Sequence, residues 1–348
     1  MTPGQARIAL LSFLLVSAGV ATNALFLQAR PPVAGKAATE RASSRPAADR
    51  AGKVSEAITL RRGGLPEEQA LRIARFAPDL DKIDPAPVAI DAYLPYWQHF
   101  LAAYDVIVFD FRNHGQNVPV TPANHTYAQL TRDLDRVYQE VCARLGGRES
   151  AGIFHSMSGR TAMKHAIEIG FCWDALVLFD PPNVPPPGHP AYAAMEAFEA
   201  RLTAFAGNRR THYGSIEELA LEFAKSRVGQ AWAPGVHDLM ARAVLRENPQ
   251  GPGFVLVCDP VNEAGIYAEA MAMNLWPEAT AFRGPVKLIG ADPDLKGGPP
   301  TGRANQALGT ENGYDYSFVP GTGHLLQVEK PEECARQTLA FLGECGLR

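Results

Sequence analysis

Ile153-Phe154-His155-Ser156-Met157-Ser158-Gly159-Arg160 is the stretch that decides how this chain is read. It ends a short apolar run and opens a helical pattern over residues 161–169. A serine at a tight strand-to-helix turn has its hydroxyl pushed out of the backbone, toward solvent or substrate. The helix that follows turns its first backbone N–H groups toward the same place, where they can meet a developing negative charge.

Working outward, residues 104–110 form a continuous Val/Ile/Phe run, the pattern of a strand buried on both faces. It ends in Phe111-Arg112-Asn113-His114-Gly115-Gln116-Asn117. Residues 126–145 carry Leu130, Leu134, Val137, Val141 and Leu145 at helical spacing, and Gly146-Gly147 stops them. Residues 175–180 and 285–290 read as two more buried strands, and 314–319 as the last. Alternation of strand and helix predicts a mostly parallel sheet flanked by helices. Between the strands at 175–180 and 285–290 the pattern is helical, at 191–205, 215–226, 235–246 and 262–275. Ser215 with Glu218 three residues on forms a capping box.

Three motifs resemble the α/β-hydrolase superfamily. His155-Ser156-Met157-Ser158-Gly159 resembles its nucleophile elbow, with Phe154 standing where the family has a small residue. Ala291-Asp292-Pro293-Asp294 is similar to the turn that carries the catalytic acid. Pro320-Gly321-Thr322-Gly323-His324 is similar to the loop that carries the catalytic histidine. The chain order of serine, acid and histidine is also that of the family.

The resemblance implies an α/β-hydrolase fold with a helical cap inserted. Ser156 would be the nucleophile, His324 the base, and Asp294 the acid, with Asp292 as the alternative acid. The Met157 N–H would be one oxyanion donor. The loop that supplies the second donor in the family holds no His-Gly or Gly-Gly pair here, and Ala92 or Tyr93 is the nearest equivalent. The turn after residues 104–110 is structural in the family, so His114 is expected to shape a loop. The implied reaction is hydrolysis of a carboxylic ester or related acyl bond through an acyl-enzyme, with no metal or organic cofactor. A carbon–carbon hydrolase or an acyltransferase would use the same triad. A binding protein on a degenerate hydrolase scaffold is the reading from another class.

The 348 residues suit one large α/β domain with an insertion, or two domains; the resemblance implies 56–182 and 284–348 as the core and 183–283 as the cap. A net charge of −4, with no basic field, argues against nucleic acid as a partner. Five scattered cysteines without a CxxC pair argue against a disulfide framework or a zinc site. Aromatic residues and methionines in the cap (Tyr192, Phe198, Phe205, Trp232, Tyr267, Met271, Met273, Trp276) favour a small-molecule ester with an apolar acyl part.

Residues 8–27 are largely apolar and flanked by Arg7 and Arg30. They read as a signal peptide or membrane anchor within residues 1–28, followed by a disordered linker over 29–55. Export or membrane anchoring is the expected location. The excess of Arg and Lys after the apolar run leaves a cytoplasmic location as the alternative.

Overall fold

The computed structural model describes residues 24–29, 53–60, 71–77, 92–115, 117, 122–145 and 147–347. An eight-stranded sheet organises them. Its strands are β1 (Ala24–Ala29), β2 (Lys53–Leu60), β3 (Leu71–Ala77), β4 (Tyr104–Phe109), β5 (Ser150–His155), β6 (Ala175–Phe179), β10 (Val286–Gly290) and β11 (Asp315–Phe318). Strands β7 (His212–Tyr213), β8 (Leu245–Glu247) and β9 (Phe254–Leu256) form a small separate sheet. The order across the large sheet is β11-β10-β6-β5-β1-β4-β3-β2. Strands β5, β6, β10 and β11 pair in parallel, and β1 and β3 run against their neighbours. Among the described strands six therefore point one way and β1 and β3 the other, the mostly parallel direction expected of the sheet.

Nearly every residue of β4, β5 and β6 is buried, which explains their unbroken apolar composition: both faces are covered. Helices α1 (Leu94–Trp97), α2 (Tyr127–Leu145), α3 (Met157–Glu168), α8 (Thr301–Glu311), α9 (Leu326–Glu329) and α10 (Pro331–Glu344) belong to the core. Helices α4 (Tyr192–Gly207), α5 (Ile216–Lys225), α6 (Val236–Val244) and α7 (Pro260–Ala270) belong to the insertion. Two apolar clusters lie on the two sides of the sheet. One holds Trp97, Phe100, Ile153 and Leu342, the other Phe109, Leu134, Met163 and Leu308.

The inserted segment is helical but carries the three-stranded sheet as well. Ser215 caps α5 as expected, accepting from the Glu218 N–H, while the Glu218 carboxylate takes the Gly214 N–H.

One expectation for the N-terminal third differs. Residues 66–76 read as a helix, yet Leu71–Ala77 is a strand paired with β2 and β4. The stretch Leu71-Arg72-Ile73-Ala74-Arg75-Phe76 is too short for its apolar spacing to separate a strand from a helix. The end of the apolar segment, Ala24–Ala29, forms β1. That strand lies between β4 and β5 and is antiparallel to both. An apolar run satisfies a central strand and a leader equally, because both remove every side chain from water. Leu27 and Gln28 are buried there, and Gln28 accepts a hydrogen bond from Arg148. Residues 1–23, most of the expected anchor, and 30–52, most of the expected linker, lie outside the described residues. Among the described residues no helix is long and apolar enough to cross a membrane.

Candidate active site

The ends of β5, β6 and β10 and the loop after β11 converge on one place. Ser156 sits between β5 and α3 with φ 57° and ψ −122°, a left-handed conformation that non-glycine residues rarely adopt. It is held by bonds on both sides: Ser156 N donates to Phe179 O, and Arg160 N donates to Ser156 O. Strain fixed by surrounding bonds marks functional sites. Ser158 ties the turn from within. Its hydroxyl donates to His155 O and accepts from His155 N, and it is fully buried.

Phe154, the departure from the small residue at its position, is accommodated by Gly152. A Cβ on Gly152 would lie 2.7 Å from the Phe154 ring and 3.0 Å from Trp173. Phe154 then packs edge-on against Trp173, with centroids 5.4 Å apart.

Ser156 Oγ lies 2.7 Å from His324 Nε2. The other ring nitrogen, His324 Nδ1, lies 2.6 Å from Asp180 Oδ2. An ionised carboxylate only accepts, so Nδ1 carries the proton and Nε2 is free to accept from the serine. The acid expected at Asp294, or alternatively at Asp292, is thus Asp180 in this geometry. Asp294 is exposed, and its backbone N–H donates to Asp292 Oδ1. Asp292 Oδ2 accepts from Gly321 N, so Asp292 braces the histidine loop without meeting the imidazole. Three parallel strands end here in acidic or histidine-bearing turns, and the strand order decides which faces which. Asp180 follows β6, the immediate neighbour of the β5 that carries Ser156. The available sequence signal was an aspartate directly after a continuous apolar run and before Pro181-Pro182.

Asp180 is fully buried. Burial alone would raise its carboxyl, but the bond to His324 and the Ala291 N–H on Oδ1 outweigh it and hold the group below the usual range. Asn305 Nδ2 also donates to Oδ1, at 2.8 Å.

His155 forms a second relay behind the first. Its Nε2 lies 2.8 Å from the His324 carbonyl oxygen, which only accepts, so Nε2 carries the proton. Its Nδ1 must then accept from the Tyr93 hydroxyl, 2.9 Å away. Burial, with the nearby His324 imidazole, pushes His155 down to about 3, so it stays neutral. Sequence reasoning offered the backbone N–H of Ala92 or Tyr93 as the second oxyanion donor; neither residue is on the cavity wall, and the Tyr93 side chain steers the histidine loop from behind. Met157, the expected first donor, opens α3 and lines the cavity.

The cavity over Ser156 has a volume of about 250 Å³. Phe198, Leu202, Val228 and Tyr267 from the insertion line it, as does Leu295 of the core. Of the cap residues singled out from sequence, only Phe198 and Tyr267 reach it. Trp232 stacks on His237, and Trp276 faces His189. Beneath it Arg160 is buried against Glu199, the Pro182 carbonyl and the Tyr127 hydroxyl. Burial pushes the Glu199 carboxyl up, with Arg160 pulling the other way. Glu329 accepts from Gly323 N at 2.7 Å, and burial pushes its carboxyl up to about 7.

His114 is buried, bonds to the Arg112 carbonyl and does not line the cavity. Arg112 itself grips Asp133 of α2 through two N–H groups.

A mostly parallel sheet with a serine elbow and a histidine loop at its strand ends, roofed by an insertion, defines the α/β-hydrolase fold class. Residues 85–337 match the alpha/beta hydrolase family, and the chain belongs to it. Comparison with curated proteins gives no match. Several solved structures share the fold. E-2-(acetamidomethylene)succinate hydrolase aligns with a TM-score of 0.61 at 15% identity, over 83% of this chain and 99% of that one. The thioesterase domain from the curacin biosynthetic pathway aligns at 0.59 and 14%, over 82% and 99%. The peroxisomal alpha-beta-hydrolase Lpx1 of Saccharomyces cerevisiae aligns at 0.57 and 13%, over 83% and 89%. At these identities the likeness is one of fold.

Proposed function

We propose that this chain is a serine hydrolase that cleaves a carboxylic ester or related acyl bond. The observation that carries the reading is the unbroken relay from Ser156 Oγ to His324 Nε2 and from His324 Nδ1 to Asp180, opening onto a cavity. His324 takes the serine proton as Oγ attacks the carbonyl carbon. Asp180 holds the tautomer and balances the imidazolium that forms. The N–H of Met157, at the start of α3, faces the developing oxyanion. The protonated histidine then gives its proton to the leaving oxygen, leaving an acyl-Ser156, and water activated by His324 releases the acid. The apolar wall of Phe198, Leu202, Val228 and Leu295 favours a substrate with an apolar acyl part.

The test is covalent labelling of the full chain with a fluorophosphonate probe, read by intact mass, for the native protein and Ser156→Ala. One adduct on the native chain and none on the variant is expected. A folded native protein that takes no adduct would overturn the reading.

A further inference from the structure

Glu199 stands on the cavity wall with one carboxylate oxygen engaged and one left over. It lies on α4 and is 1% exposed. Oε1 takes the Arg160 guanidinium, while Oε2 accepts no hydrogen bond among the described residues. Buried polar atoms in folded proteins are almost always paired, because desolvating one without a partner is costly. An oxygen left open beside a substrate cavity is paired when the substrate brings the donor. The same wall carries Ser156 and His324, so such a donor would sit on the molecule being cleaved.

Charge decides which donor. Arg160 already balances the Glu199 carboxylate, and the Arg160 side chain has no exit to water. An ammonium brought to Oε2 would leave an uncompensated positive charge in a buried site, whereas a hydroxyl or amide N–H leaves the balance intact. The wall also carries Arg227, Lys296 and Glu329, while Phe198, Leu202, Val228 and Leu295 supply an apolar part against which the rest of the acyl chain would lie.

We propose that Glu199 Oε2 accepts a hydrogen bond from a neutral donor on the substrate, which makes the substrate class hydroxy- or acylamino-substituted carboxylic esters. This inference rests on the serine-hydrolase reading and narrows it. Glu199 selects substrate here and takes no part in bond breaking.

The test uses the full chain and matched p-nitrophenyl esters. Hexanoate is the unsubstituted reference. 3-Hydroxyhexanoate and 6-hydroxyhexanoate are each compared with their methyl ethers, and 4-acetamidobutanoate with its N-methyl form. Methylation keeps the acceptor atoms and removes the donor but adds a methyl group, whose bulk is controlled by the same ratio in Glu199→Gln. At least one donor ester should exceed its methylated partner by about tenfold or more in kcat/KM, since a site built to bond a donor rejects the analogue that lacks it. In Glu199→Gln the amide oxygen faces Arg160 and the NH₂ group faces the cavity, so that ratio should fall toward one. Native ratios near one for every pair would overturn the inference, and that comparison stands even if the variant does not fold. Turnover of the hexanoate ester without donor preference would remove this inference and leave the serine hydrolase intact. No turnover of any ester, together with no Ser156-dependent labelling, would remove both.

Discussion

Replacing Asp180 by asparagine tests which acid serves His324. Three donors meet the Asp180 carboxylate: His324 Nδ1 at 2.6 Å, Ala291 N at 3.0 Å and Asn305 Nδ2 at 2.8 Å. An asparagine has one oxygen and one NH₂ group to set against them. Its oxygen satisfies Ala291 and Asn305 together, which turns the NH₂ toward His324 Nδ1. That nitrogen must then accept, so the proton moves to Nε2 and points at Ser156 Oγ. The histidine no longer has a lone pair for the serine proton. The comparable substitution in a serine protease lowers kcat by roughly 10⁴-fold, so a loss of that order, about 5.5 kcal/mol of transition-state stabilisation, is expected here. The side chains are nearly isosteric, so the fold should persist by circular dichroism. Asp294→Asn, at an exposed turn, should stay within about twofold of native. The assay is p-nitrophenyl hexanoate hydrolysis at neutral pH for the three proteins. An Asp180→Asn variant with more than about a tenth of native kcat/KM would refute the assignment, as would a collapse on Asp294→Asn.

Other outcomes follow from the same contacts. Tyr93→Phe leaves His155 Nδ1 without its donor and should cost about 1–2 kcal/mol in urea unfolding, with a fall of a few fold in kcat as the histidine loop loosens. Leu27→Ala should cost about 3 kcal/mol if β1 is a central strand; an unchanged urea midpoint would show that residues 24–29 do not belong to the sheet. Glu329 has its folded pKa raised from 4.5 to about 7, so its folded form holds the proton more tightly than the unfolded chain does. Its contribution is therefore full below pH 4.5 and is lost as pH rises through 7, by up to ~3 kcal/mol. Urea unfolding at pH 5 and pH 8 should show Glu329→Gln lacking that loss; identical pH trends in the two proteins would exclude it.

The residues that met were legible to the degree that their signals were local. A serine at a strand-to-helix turn needs only its neighbours. Ser156 accordingly appears where the elbow was read, while Ser158, the other serine on that turn, is tied back onto His155. His324 was legible because a whole loop surrounds it. Asp180 was not. Residues 175–180 and 285–294 present the same pattern, an apolar run and then an aspartate. Only the pairing of β6 with both β5 and β10 puts Asp180 between the serine and the imidazole. Tyr93 and His155 were likewise invisible as partners, since 62 residues separate them in the chain.

By itself the sequence determined the alternation of strand and helix, the place of the elbow and of the histidine loop, and the Ser215 cap of one insertion helix. Each follows from short-range physics: side-chain periodicity, turn chemistry, and backbone groups that must be paired within a few residues. The tertiary structure decided the rest. It chose the acid, seated residues 24–29 between β4 and β5, and brought Glu199 of the insertion onto Arg160 of the nucleophile helix. Those outcomes depend on which strands lie side by side and on which buried charge finds its partner. Both are settled by burial and pairing between segments far apart in the chain, where local pattern carries no record of the neighbour.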